Sequence, residues 1–591
     1  MSWHAWLTLV VIGGVFFVMA RDLVSPAVAL LGGVIVLLLG GVVTPEQAFQ
    51  GFSNPAPITV AALYVLARAV SKSGALQPVV NSVLGRGTDS RTALARLSFP
   101  VAAASAFLNN TPIVAMLVPQ VSDWADRNRH SPSRYLMPLS FAAILGGMVT
   151  LIGTSTNLVI SGLLEASGRP PLGMFELTKV GLPIAVAGVL LIVAFAPMVL
   201  PDRKPPRAQA EAAARGFTVQ MSVVPGGPLD GKHVEEGGLR HLQGVFLVEM
   251  ERAGELTAPV APNTVLQGGD RLTFVGQVDV VVDLHSLAGL ASAEEPHLLE
   301  FDSPRHTFFE AVVGEASPLV GKTLKEAGFR ARYQSAVVAI HRAGELVRAK
   351  LGQVPLRAGD TLLLISDEGF RERWRDGRDF VLISRLGGTP PSVPRKVGIV
   401  AAVGLAIVLG AGFGVLPILH LSLLGALALV LFRVLTPGEA KNAVDLEVVV
   451  VIAAAFGLAA ALDVSGLARA IGGLISGALG GLGPYAVLTA LVMATIGLKA
   501  VITNNAAAAL MFPLALSTSA DVGLNVRAIT VAIALAASAS FLTPIGYQTN
   551  LMVYGPAGYR FSDYARLGVP LTILVVALIL VLVPLEWGLT G

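Results

Sequence analysis

Along residues 1–200 and again along 395–591, apolar runs of near-spanning length alternate with short polar breaks, whereas about 201–394 reads as soluble sequence. A helix needs about 20 apolar residues to cross a bilayer. The candidate spans lie near 5–20, 23–43, 56–70, 135–165 and 179–200, then near 396–416, 419–435, 446–462, 526–556 and 568–586. Two further apolar stretches, 93–121 and 486–516, are each divided by a polar triplet into segments short for a full span. That is the pattern of a re-entrant helical hairpin with a polar tip at membrane depth, and Pro112 suits the first turn of the returning helix. "GTSTN" (Gly153–Asn157) and "TPIGYQTN" (Thr543–Asn550) interrupt the helices expected over 134–165 and 526–554. In the second of these, Pro544 and Gly546 are strong helix breakers.

The two apolar parts repeat one another. "TPEQA" at Thr44 answers "TPGEA" at Thr436, and Ser73 answers Ser465, both 392 positions on. "LNNT" aligns with "ITNN" at 394 once Pro119 and Pro513 are matched, and Thr156 answers Thr549 at 393. Matching the prolines pairs Asn110 with Asn504, Asn109 with Thr503 and Thr111 with Asn505. About five spans plus one hairpin per half is an odd count, so the second copy inserts upside down as an inverted repeat. Basic residues agree with that topology: Arg86, Arg91, Arg96, Arg134, Arg203, Arg395, Lys396, Arg433, Lys441 and Arg560 fall on the expected inner side, and few on the outer. The soluble insert then lies in the cytoplasm. It is itself a tandem repeat, since "PLDGKHVEEGGLRH" from Pro228 matches "PLVGKTLKEAGFRA" from Pro318, 90 positions on. Alternating strands and Gly-Asp turns make each copy a small α+β module. Pro-rich borders at Pro201 and Gly387 divide the chain into a membrane repeat over 1–200, modules over 201–297 and 298–394, and a membrane repeat over 395–591.

Composition agrees with the hydropathy. Of 591 residues, 54% are hydrophobic and only 14% charged, with a mean hydropathy of +0.70, against roughly a quarter charged in soluble proteins. The first run, Trp6–Ala20, lacks the basic flank and small-residue cleavage site of a signal peptide, so a retained span is expected. A multi-pass protein of the inner (plasma) membrane follows. A net charge of +3 without interleaved aromatics gives no nucleic-acid partner, and the lack of cysteine excludes disulfides and thiolate chemistry. No Ser/His/Asp or paired-carboxylate constellation can be assembled, so no enzyme is expected.

The chemistry therefore sits in four polar clusters, two tips and two breaks. A membrane-embedded amide costs free energy unless it finds partners. Helix N-termini favour an anion, while freed carbonyls and Asn or Thr oxygens suit a small hard cation. The clusters hold no carboxylate, so a cation there would rest on neutral oxygens. Lys499, four residues before the second tip, could steer an anion, although snorkelling to the interface is the commoner fate of such a lysine.

Tip triplets followed in order by "GT…N" and "TP…N" breaks resemble the divalent anion:sodium symporter family of the ion transporter superfamily. The resemblance covers nearly all of the membrane portion. It implies a sodium site at Asn109, Asn110, Gly153, Thr154 and Asn157, and another at Thr503, Asn504, Thr543, Gly546 and Asn550. The anion would face Asn110, Thr111, Asn504, Asn505, Thr156 and Thr549. The tips here read Asn-Asn-Thr and Thr-Asn-Asn rather than the usual Ser-Asn-Thr, and Thr replaces the usual proline before each helix-break Asn. The 90-residue modules resemble the C-terminal ligand-binding domain of TrkA, which a sulfate-transporter-like branch of the family carries. Sodium-coupled symport of sulfate or another small divalent anion, an unidentified small ligand at the modules, and a homodimer are what the resemblance implies. A dicarboxylate or other oxyanion carrier driven by protons, and a ligand-gated channel, are the alternatives; no TVGYG-type filter is present for the channel.

Overall fold

The computed structural model describes residues 2–21, 23–73, 89–128, 130–203, 218–239, 245–252, 255–257, 260–276, 289–292, 307–314, 317–342, 345–347, 351–367, 369–374, 379–385, 394–500, 502–544 and 547–590. Among them, three helices are long and apolar enough to cross a membrane: Thr178–Val199, Leu446–Val464 and Phe561–Trp587. Shorter apolar helices accompany them, including Trp3–Met19, Pro26–Leu39, Lys396–Gly412 and Ile418–Leu431. The repeated "TP" motif is a helix start in both halves. Thr44 and Thr436 cap the short helices Pro45–Ser53 and Pro437–Ala443, and Gln47 and Glu439 close reciprocal capping boxes with proline at the first position. These two helices lie where the sequence pattern placed only connections.

The stretch 93–121 folds as two helices, Ser90–Ser105 and Asn110–Arg127, and 486–516 as Pro484–Lys499 and Asn504–Val522. Both returning helices begin at the paired asparagines, Asn110 and Asn504, which is the register that matching the prolines gives. The run near 135–165 breaks into Leu136–Gly147 and Ser155–Ala166, and that near 526–556 into Val526–Ser538 and Gln548–Tyr554. Helix ends inside a bilayer leave carbonyls without partners unless protein covers them. In each half the last helix brings a glycine onto the break. A side-chain Cβ at Gly181 would fall 2.2 Å from the Met148 carbonyl oxygen, and one at Gly568 would fall 2.1 Å from that of Phe541. Met148 and Phe541 are themselves 393 positions apart.

Two five-stranded sheets fill the insert. The first runs Glu255–Thr257, Val245–Arg252, Arg271–Gly276, Thr218–Val223, Leu290–Ser292 across the sheet. The second repeats that order with Glu345–Leu346, Ala336–Arg342, Thr361–Ser366, Thr307–Val313 and Phe380–Arg385, and every pairing in both is antiparallel. The repeat extends to side chains. Arg252 forms a bidentate pair with buried Asp270 at 2.7 and 2.6 Å, and Arg342 pairs the same way with buried Asp360 at 2.8 and 2.7 Å. A planar guanidinium suits such a two-point contact, and it fixes the Gly-Asp turn of each module.

The second module packs on the membrane part. Val312 and Leu382 join the same buried cluster as Phe141 and Phe541 of the broken helices. Its Gly359 turn lies on Leu551 and Tyr554, and Gly555 faces Thr361 so closely that a Cβ there would stand 1.9 Å from the Thr361 hydroxyl. Gly555→Ala is therefore expected to push the turn off the helix end, at a cost of about 2 kcal/mol of overpacking. The chain has no cysteine of its own, so a probe residue reads this directly. Leu551→Cys, buried at 3% exposure, should label with a maleimide about tenfold faster or more when Gly555→Ala is also present, and equal rates would show that the contact survives.

Candidate functional site

The breaks are held open by an asparagine in each half. Asn157 Nδ2 donates to the carbonyls of Gly147 at 3.2 Å and Thr150 at 2.9 Å. Asn550 Nδ2 donates to those of Ser540 at 2.8 Å and Thr543 at 3.1 Å. Every partner in the second set lies 393 positions after its mate in the first. One side-chain amide thus satisfies two carbonyls that the end of the preceding helix frees. Gly153 lies inside the first break, where a Cβ would meet the Gly147 carbonyl oxygen at 2.6 Å. Gly546 lies outside the described residues.

Each tip asparagine rests against the break of its own half, with the roles of serine exchanged. In the first half Ser105 Oγ, on the outgoing hairpin helix, donates to Asn110 Oδ1 at 2.6 Å, and Gly147 leaves room for that amide. In the second half Ser540, the position equivalent to Gly147, donates to Asn504 Oδ1 at 2.9 Å. Thr503 caps its helix by accepting from the Ala506 N–H, and Asn109 stands just before the first residue of its returning helix.

Tips also reach the break of the opposite half. Asn110 Nδ2 donates to the Tyr547 hydroxyl at 2.9 Å. Thr111 donates to Gln548 Oε1 at 3.4 Å, while Ser155 and Thr156 both donate to Asn505 Oδ1 at 3.2 Å. The Thr111–Gln548 and Asn505–Ser155 contacts are mates under the repeat. Ser140 ties the broken helices together, donating to Asn550 Oδ1 at 2.7 Å and sharing a hydroxyl–hydroxyl hydrogen bond with Thr549 at 2.9 Å. All four clusters therefore meet. The first turns of helices converge on the tips, a setting for an anion, and the last turns of others converge beneath them with carbonyls that suit a cation.

Sequence reasoning passed over Ser105, Ser140, Gly147 and Ser540, because a lone serine or glycine in an apolar helix carries no signal. Tyr547 and Gln548 lay in plain view within "TPIGYQTN". Lys499 differs from the expectation of snorkelling. It is buried at 4% exposure, and its ammonium donates to the Ala539 carbonyl. The wall of the adjacent helix Val526–Ser538 holds it inside the protein rather than at an interface.

Comparison with known proteins gives the family. The sequence signature described as citrate transporter matches residues 14–536. The chain belongs to that family, a group of membrane transporters allied to the divalent anion:sodium symporters. Among its relatives, a candidate sulfur-deprivation response regulator of Chlamydomonas reinhardtii is 35% identical, over 94% of this chain and 97% of the relative. Sodium/sulfate cotransporter 1 of the same alga is 26% identical, over 96% of this chain and 88% of its own. A crystal structure of the Alcanivorax borkumensis YdaH transporter aligns over 91% of this chain and 86% of its own, with 14% identity and a TM-score of 0.43, too slight a likeness to carry an argument. The chain is a transporter and not an enzyme.

The amide of Asn110 sits so close to Gly147 that a Cβ there would fall 2.6 Å from Asn110 Oδ1. Gly147→Ala is expected to displace that amide and cut uptake about tenfold or more, a loss on the scale of one buried hydrogen bond. Normal uptake by the folded variant would show that Asn110 need not hold this position.

Proposed function

We propose that the chain is a sodium-coupled symporter of a small divalent oxyanion, with sulfate favoured, working by alternating access in a cell inner membrane. The observation that carries this reading is the crossed contact of each hairpin tip with the helix break of the other half. Sodium binding at the first cluster, through oxygens of Asn109, Asn110, Thr154 and Asn157 and the carbonyls around Gly153, would order tip and break together. The second cluster, with Thr503, Asn504, Thr543 and Asn550, repeats that arrangement. The anion would then lie among Asn110, Thr111, Thr156, Asn504, Asn505 and Thr549, held by neutral donors and helix N-termini. Neutral oxygens with no carboxylate favour sodium over a proton relay, and the relatives named sodium/sulfate cotransporters support the same pairing.

In this reading the membrane halves are 1–200 and 395–591, related as an inverted repeat. The modules over 201–297 and 298–394 are cytoplasmic, TrkA-C-like regulators that bind a small ligand, and two chains form the working homodimer. Citrate is the competing substrate, given the family's description.

Proteoliposomes decide between them. Radiolabelled sulfate should accumulate under an inward sodium gradient, and unlabelled sulfate should compete better than succinate, citrate or phosphate. Uptake that follows a proton gradient after sodium is replaced would overturn the coupling, and stronger competition by citrate would overturn the substrate. Asn110→Ala and Asn504→Ala should each lower uptake at least about a hundredfold, in line with the loss of two or more charge-facing hydrogen bonds. If both transport normally, the site lies elsewhere.

A further inference from the structure

The two half-sites have the same backbone plan but opposite needs for charge. The helix Pro484–Lys499 ends at Lys499, and its ammonium reaches the carbonyl of Ala539, the first residue past the helix Val526–Ser538. The carbonyl end of the helix Val526–Ser538 therefore meets this ammonium, and carbonyl ends are where a cation is favoured. Among the described residues no carboxylate pairs with Lys499. In the first half the equivalent position, 394 residues earlier, is Ser105, which is neutral and already donates to Asn110.

The acceptors differ in the complementary sense. Asn550 Oδ1 accepts from Ser140 of the opposite half. The residue that should serve Asn157 in the same way, 393 positions after Ser140, is Ile533, which has no donor to give. Asn157 Oδ1 is accordingly fully buried and without a partner. A buried amide oxygen left unpaired costs free energy that a bound cation would recover. The first half thus has an open acceptor beside a neutral hydroxyl, whereas the second, among the described residues, has a buried lysine beside an amide oxygen already served.

We infer that the Lys499 ammonium is a tethered cation occupying the second half's cation position, so that the transporter takes sodium only at the first. This rests on the sodium-coupled reading and narrows it. One positive charge of the pair moves with the protein and never crosses as solute, so each cycle carries one sodium fewer than two open sites would.

Equilibrium binding of radiolabelled sodium to the purified full chain, with folding followed by thermal melting, tests it. The wild type should bind one sodium per protomer, and Asn157→Ala should lose it. Lys499→Ser, which gives the second half the residue of the first, should bind two. Ser105→Lys should bind none. If Lys499→Ser fails to fold, the wild-type count, its loss in Asn157→Ala and the Ser105→Lys result carry the test. Two sodium ions on the wild type, or an unchanged count in folded Lys499→Ser, overturns the tethered cation alone. A wild type that binds no sodium and accumulates anion without it overturns sodium coupling and this inference together.

Discussion

A backbone carbonyl cannot be left bare inside a bilayer, and one asparagine amide in each half meets that demand. Asn157 and Asn550 each bridge two carbonyls across a break, Gly147 with Thr150 and Ser540 with Thr543. Everything else at the site follows from those two bridges. They permit a helix to stop and restart at membrane depth, and so create ends that carry partial charge. The tips can then dock on the ends, and the glycines Gly181 and Gly568 bring the last helix of each half over what remains.

Duplication supplies the plan, and small substitutions make it unequal. Serine stands on the hairpin in one half and on the broken helix in the other, yet both serve a tip asparagine. Ser140 satisfies Asn550, whereas its counterpart Ile533 leaves Asn157 with an open acceptor. The two walls of the interface are thus alike in backbone plan and different in side-chain chemistry.

How much of this was legible depended on whether a residue offended its surroundings. Asn109 to Thr111, Thr503 to Asn505 and the two interrupted runs stood out because amides and helix breakers in an apolar stretch demand partners. The repeat offsets then set the register, and both returning helices begin where that register places them. Ser105, Ser140 and Gly147 gave no such signal, since serine can bond its own helix and glycine is common in membrane helices. The crossing of tips to the opposite break is a tertiary fact with no trace in spacing. Lys499 was visible but misjudged, because length alone says a lysine can reach the interface and only the neighbouring helix decides that it does not.

The seat of the second module on the end of Gln548–Tyr554 has a mechanical consequence. Gly359 and Thr361 rest on the segment that must shift if the second break rearranges during a cycle. Work done on that segment would then be shared with the module, and whatever stiffened the module would resist the stroke. A ligand that fits one seating better than the other would bias the carrier toward the conformation with that seating, and whatever favours that conformation would in turn raise the ligand's affinity by the same factor. The insert would then act as a gauge of the carrier's conformation as well as a brake on its cycle.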